Sequence, residues 1–142
     1  MKLLNREGTA VQEQNLGAQN QKILIVDDEE LITQSICNIL KSLNCTLLVA
    51  HNGRDALKIV LAECPDLVIS DFVMPHGGGL EFTMKLTELN SNKKQKVPFI
   101  LMSGNIDLTP NFSTSDGFVG ALNKPFKKEE LLSLCISSLK TI

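Results

Sequence analysis

Asp66-Leu67-Val68-Ile69-Ser70-Asp71-Phe72-Val73-Met74-Pro75 decides the fold. Leu67 to Ile69 is a short apolar run that delivers Asp71 to its end. Pro75 cannot donate to a continued ladder, Gly77-Gly78-Gly79 reads as a flexible bend, and Leu80-Glu81-Phe82 opens a helical pattern. The unit is a strand, a carboxylate at its carboxyl end, a loop and a helix. Open parallel α/β sheets carry their chemistry at the carboxyl ends of strands. Asp71 is therefore the residue that needs a role.

Working outward, the same unit recurs on both sides. Lys22 to Val26 (K-I-L-I-V) is apolar on both faces, as a central parallel strand must be, and Asp27-Asp28 ends it. Glu29 and Glu30 suit a first helical turn, and Ile32, Ile36, Ile39 and Leu43 mark an amphipathic helix over about 29–43. Asn44 breaks it. Cys45 to Ala50 reads as a second strand, His51-Asn52-Gly53 as a turn, and Ala56, Leu57, Val60, Leu61 and Cys64 as a second helix stopped by Pro65. Leu67 to Ser70 is the third strand.

Phe82, Leu86 and Leu89 place a third helix at about 79–90. Asn90 to Lys96 is a polar, basic connection, and Pro98 to Met102 is a fourth strand ending at Ser103-Gly104. Asn105 to Gly117 holds Pro110 and the run Ser113-Thr114-Ser115-Asp116, so a helix there is held to one or two turns. Val119 to Leu122 is a small fifth strand ending at Asn123-Lys124-Pro125, and a last helix spans about 127–140. Such regular alternation predicts a doubly wound, five-stranded parallel sheet, a (βα)5 domain; a flavodoxin-like sheet of this kind has strand order 2-1-3-4-5.

Composition narrows the class of function. The chain has 142 residues, 43% hydrophobic and 21% charged, with a net charge of −2. One ordinary globular domain is expected, over residues 21–142. Residues 1–20, rich in Gln, Asn and Gly, read as a flexible leader, with a short docking helix as the alternative. The near-zero charge gives no strong field toward nucleic acid or membrane. No apolar run approaches the ~20 residues that a membrane span needs. Cys37, Cys45, Cys64 and Cys135 are scattered without C-x-x-C spacing, so they read as small buried hydrophobes in a reducing cytoplasm. His51 and His76 have no ligand-spaced partner and read as exposed loop residues.

The polar residues at the strand ends form a set: Asp27 and Asp28 after strand one, Asp71 after strand three, Ser103 after strand four, Lys124 after strand five. Any one alone is as readily a turn or cap residue. Together they meet at the switch point of such a sheet. Three clustered carboxylates repel one another unless a divalent cation sits among them. Mg2+ prefers oxygen ligands and takes one or two carboxylates plus phosphate oxygens. Asp71 is then placed to attack phosphorus, with Lys124 and the Ser103 hydroxyl stabilising charge on the transferred group.

The sequence resembles the receiver domain of two-component response regulators, of the stand-alone chemotaxis-regulator kind. The matching stretches are I-L-I-V-D-D-E-E (Ile23–Glu30), D-L-V-I-S-D-F-V-M-P (Asp66–Pro75), I-L-M-S-G (Ile100–Gly104) and N-K-P-F (Asn123–Phe126). The likeness covers about Gln21 to Leu139. It implies that Asp71 accepts a phosphoryl group from a histidine kinase or a histidine phosphotransfer protein. It implies Mg2+ ligation by Asp27, Asp28, Asp71 and the backbone carbonyl of Val73, a switch hydroxyl at Ser103, a phosphoryl-pairing Lys124 and a cis Lys124-Pro125 bond.

It also implies a cytoplasmic phosphoprotein that labels itself and loses the group slowly, and is not a turnover enzyme. Such a protein is a monomer or a weak phosphorylation-dependent dimer, acting on a downstream protein that the sequence does not identify. Because the chain stops after the last helix, a stand-alone receiver, a relay intermediate or an excised piece of a larger protein is expected. One departure stands out: the aromatic residue common in the family three places before the lysine is Ala121 here. The alternative it motivates is a phosphorylation-independent adaptor with an altered output face. A metal-dependent phosphohydrolase would use the same nucleophile, but Asp71-Phe72-Val73 offers no second carboxylate to act as acid or base.

Overall fold

The computed structural model describes residues 3–4, 10–11, 21–74, 78–92, 96–104 and 112–139. Five parallel strands form the sheet: β1 (Lys22–Val26), β2 (Thr46–Ala50), β3 (Leu67–Asp71), β4 (Phe99–Ser103) and β5 (Phe118–Asn123). Their spatial order is β2-β1-β3-β4-β5. Four α-helices accompany them among the described residues: α1 (Glu30–Leu40), α2 (Gly53–Glu63), α3 (Gly79–Ser91) and α4 (Lys128–Leu139). This is the expected flavodoxin-like order 2-1-3-4-5.

Both faces of the sheet are covered, which is why the central strands are apolar without alternation. On one face, Ile23 and Ile25 of β1, Leu67 and Ile69 of β3, and Ile100 and Met102 of β4 pack under Ile36 and Leu40 of α1 and Leu131 and Cys135 of α4. On the other, Leu24, Val26, Val68, Phe99 and Leu101 pack under Ala56 and Val60 of α2 and Phe82 and Leu86 of α3. β2 lies at an edge, and there Thr46 and Val49 are exposed. Val26 pairs with Ala50 and with Ser70, so the ends of β1, β2 and β3 lie side by side.

Several element ends differ from the sequence expectation. Glu29 is not in the first turn of α1; it is the extended N-cap, and the helix begins at Glu30. α1 stops at Leu40 and tightens into a 3-10 turn, Lys41–Leu43, before Asn44 adopts φ 57°. Asn tolerates that left-handed conformation better than most residues. β3 and β4 each run one residue further, so Asp71 and Ser103 are themselves the last ladder residues. Gly79 is not part of a flexible bend. It is the buried first residue of α3, and a Cβ there would strike the carbonyl oxygen of Phe72 and lie 2.9 Å from that of Asp71.

Between β4 and β5 the described structure is a single 3-10 turn, Thr114–Asp116, closed by a capping box between Ser113 and Asp116. The turn is held from α3. Asn90, fully buried, accepts from Val97 N–H at 2.7 Å and donates to the carbonyls of Val97 (3.0 Å) and Asp116 (2.7 Å). Gly117 follows at φ 95°, where a Cβ would collide with the Asn90 amide. β5 starts one residue earlier than expected and carries a bulge: Phe99 pairs with Phe118, but Ile100 pairs with Gly120. Phe118 joins Phe99 and Phe112 in an aromatic group with ring centroids 5.7–6.0 Å apart.

Within residues 1–20, Leu3–Leu4 pairs antiparallel with Ala10–Val11; the rest of the expected leader lies outside the described residues. So do Pro75, His76 and Gly77, and most of the 105–117 connection. The cysteines divide. Burial, then the neighbouring Cys45, pushes the Cys135 thiol up to about 12, and burial, then Asp66, pushes Cys45 to about 11. Only Cys135 is buried as expected; Cys37 and Cys45 are half-buried, and Cys64 is exposed and caps α2 at φ 48°. Among the described residues no helix is long and apolar enough to cross a membrane.

Candidate functional site

The five strand-end residues lie together at the carboxyl ends of the parallel strands. Asp27 follows β1 and is fully buried. Every polar atom of this residue is engaged. Its N–H donates to the Ala50 carbonyl at 3.2 Å, and its Oδ1 accepts from Glu29 N–H at 2.9 Å. Its Oδ2 accepts from Lys124 Nζ at 2.8 Å, and its carbonyl oxygen stands 3.0 Å from His51 Nδ1. Asp28, next in the chain, is exposed.

Asp71 ends β3, opposite Met102 of β4, and is 5% exposed. The hydrogen bond from Phe72 N–H to the Met102 carbonyl (2.8 Å) fixes the backbone just beyond it. Its Oδ2 lies 3.3 Å from Lys124 Nζ, and its Oδ1 accepts a long bond, 3.4 Å, from Val73 N–H. Val73 is 58% exposed and meets the site through its backbone. Ser103 ends β4, buried, and its carbonyl accepts from Lys124 N–H at 2.8 Å. That bond sets where the lysine leaves β5, just before the cis Lys124-Pro125 peptide.

Oxygen atoms of Asp27, Asp28 and Asp71 all lie within 4.8 Å of one another. Two like charges about 4 Å apart repel by about 4 kcal/mol at an effective dielectric near 20. Three carboxylates against one ammonium leave two negative charges uncompensated. Burial, opposed by Lys124 and assisted by Asp27, raises the Asp71 carboxyl above the usual carboxylate range. Burial alone would lower the Lys124 ammonium; the hydrogen bond to Asp27 and the charges of Asp71 and Asp27 outweigh it and raise it. A donor set made only of oxygens and two charges short of balance fits a hard divalent cation.

Asp27, Asp28 and Asp71 thus lie within reach of one another and Lys124 within reach of Asp27 and Asp71, with Ser103 and Val73 joined to them through backbone bonds. His51, exposed as expected and not among the expected site residues, is tied to the Asp27 carbonyl. The signal was present, since His51 directly follows a strand carboxyl end, as Asp27 and Lys124 do.

A flavodoxin-like sheet with an acidic pocket and a lysine across its switch point defines the receiver class of signalling domain. The response regulator receiver domain model matches residues 23–135, and the chain belongs to that family, which acts in two-component signalling. Protein PilG of Pseudomonas aeruginosa is 34% identical over 115 residues, covering 78% of this chain and 82% of PilG. Transcription factor prr1 of Schizosaccharomyces pombe is 30% identical over 132 residues, covering 92% of this chain. The structure of the chemotaxis response regulator CheY4 of Vibrio cholerae superposes with a TM-score of 0.68 at 28% identity, covering 84% of this chain and 98% of CheY4. The chain spans 24% of prr1 and about half the length of other response-regulator relatives.

Proposed function

We propose that Asp71 accepts a phosphoryl group from a histidine kinase or a histidine phosphotransfer protein, and that this switches contacts with a downstream protein. The observation that carries the reading is Asp71 held 3.3 Å from the Lys124 ammonium, inside a cluster of three carboxylates at the switch point. In the transfer, an Asp71 carboxylate oxygen attacks phosphorus. The phosphorus–nitrogen bond to the donor imidazole breaks, its electron pair stays on nitrogen, and an acyl phosphate results. Lys124 pairs with a phosphoryl oxygen, and the Ser103 hydroxyl donates to another.

Asp27, Asp28, Asp71 and the Val73 carbonyl would hold Mg2+, which when bound neutralises charge on the phosphoryl oxygens. Attack of water on phosphorus then returns the carboxylate slowly; no multiple turnover is proposed. The protein is read as cytoplasmic, on its four unpaired cysteines, and as a monomer or a weak phosphorylation-dependent dimer.

Incubation with acetyl phosphate or phosphoramidate in Mg2+ tests the reading. The wild-type chain gains one phosphoryl group by mass, and Asp71→Asn gains none. No gain in the wild type, or an equal gain in the variant, sinks it.

A further inference from the structure

We propose that His51 is a positioning residue for the acid pair Asp27-Asp28, standing in for a backbone donor that the fold removes. This rests on the reading of that pair as cation ligands. β1 and β2 pair in parallel, and the last ladder bond runs from Asp27 N–H to the Ala50 carbonyl. In a parallel ladder the next bond would run back, from the amide of Asn52 to the Asp27 carbonyl.

The pairing of β1 with β2 ends at Val26 and Ala50, and Asn52 already stands as the N-cap of α2, with its side-chain Oδ1 accepting from Asp55 N–H at 2.7 Å. The chain leaves the sheet one residue too early to complete the ladder. His51 Nδ1 takes the vacated place, 3.0 Å from the Asp27 carbonyl oxygen. A carbonyl only accepts, so the ring carries its proton on Nδ1.

The consequence is positional. Asp27 is pinned by its N–H, its two carboxylate oxygens and, through His51, its carbonyl. That carbonyl belongs to the peptide joining Asp27 to Asp28, so the imidazole holds the plane from which the exposed Asp28 side chain departs. Outer partners of metal ligands typically change affinity about 10- to 100-fold when removed. His51 would thus set cation affinity without touching the cation.

Calorimetric titration of the full chain with MgCl2 tests this in wild type, His51→Phe and His51→Asn. His51→Phe keeps a planar ring without a donor; His51→Asn keeps a short donor. His51→Phe is expected to weaken Mg2+ binding about tenfold, with His51→Asn recovering most of it. Binding by His51→Phe within about twofold of wild type, or equal weakening by both variants, overturns the inference.

Amide exchange of the metal-free proteins is the second readout. In His51→Phe the Asp27 amide exchanges faster while Ile25 is unchanged; unaltered exchange at Asp27 overturns the positioning role. If wild type binds no Mg2+, the cation-site reading fails by itself, and exchange still decides whether His51 holds the end of β1.

Discussion

Lys124 Nζ and Asp27 Oδ2, 97 positions apart in the chain, meet at 2.8 Å, with the carboxylate fully buried and the ammonium partly so. The pair joins the end of β1 to the end of β5 across the site. Removing one member of a buried pair costs more than the pair contributes, because the other is left charged without a partner. Lys124→Met should therefore destabilise the metal-free protein by about 3 kcal/mol, read as a lower urea midpoint at unchanged slope. Adding Asp71→Asn should recover part of that loss, since one of the three repelling carboxylates is gone. Additive effects of the two substitutions would show that Lys124 and Asp71 are not coupled.

Asp71→Asn alone should stabilise the fold. Burial and the Asp27 charge raise the Asp71 carboxyl in the folded state despite Lys124. For an acid raised on folding, the ionised form is the one the native state disfavours. The penalty is present in full above the folded value and vanishes below the ordinary carboxylate range, where both states are protonated. Thermal unfolding in EDTA should show the variant melting higher at pH 7 and no higher near pH 3. A lower melting point at pH 7 would mean that the lysine dominates.

Gly79 and Gly104 make a matched pair of substitutions. A Cβ on Gly79 meets two backbone oxygens, of Phe72 and Asp71, neither of which can rotate away. Gly79→Ala should cost about 2 kcal/mol through forced displacement of α3 from the loop after Asp71. It should also slow acetyl-phosphate labelling. A Cβ on Gly104, beside Ser103, meets nothing within 4 Å, so Gly104→Ala should leave stability within about 0.5 kcal/mol. Equal effects on denaturant midpoints would refute the contact argument.

The strands were legible because K-I-L-I-V, L-V-I and P-F-I-L-M are buried on both faces, and such strands are continuous apolar runs; their order followed from the flavodoxin-like type of sheet. The site was legible because each of its side chains lies at the last residue of a strand or within two residues after it. What escaped depended on register and not on pattern. His51 matters only once Asp27 N–H is known to pair with the Ala50 carbonyl. Asn90 looks like the frayed polar end of an amphipathic helix, because an amide that satisfies three backbone groups leaves no trace in periodicity. The bulge between Phe118 and Gly120 likewise hides in a run that could be read in either register.

Asn90 also supplies the sharpest test of the region where the family pattern departs at Ala121. Its side chain satisfies Val97 N–H, the Val97 carbonyl and the Asp116 carbonyl, all around a fully buried atom set. Asn90→Ala leaves these groups without partners, each costing about 1 kcal/mol or more, so a total loss of about 3 kcal/mol is expected. Asn90→Asp keeps the acceptor toward Val97 N–H but turns the donor into an oxygen facing two carbonyls. Its new carboxyl is disfavoured when ionised, so its folded value is raised. The variant should be weakest at neutral pH and recover as pH falls and the proton restores a donor. Urea midpoints at pH 7 and pH 5 measure this. Because Asn90 lies at the opposite end of α3 from Asp71, acetyl-phosphate labelling per folded molecule should be unchanged. A variant that is stable yet fails to label would mean that the β5 entrance and the phosphoryl site move together.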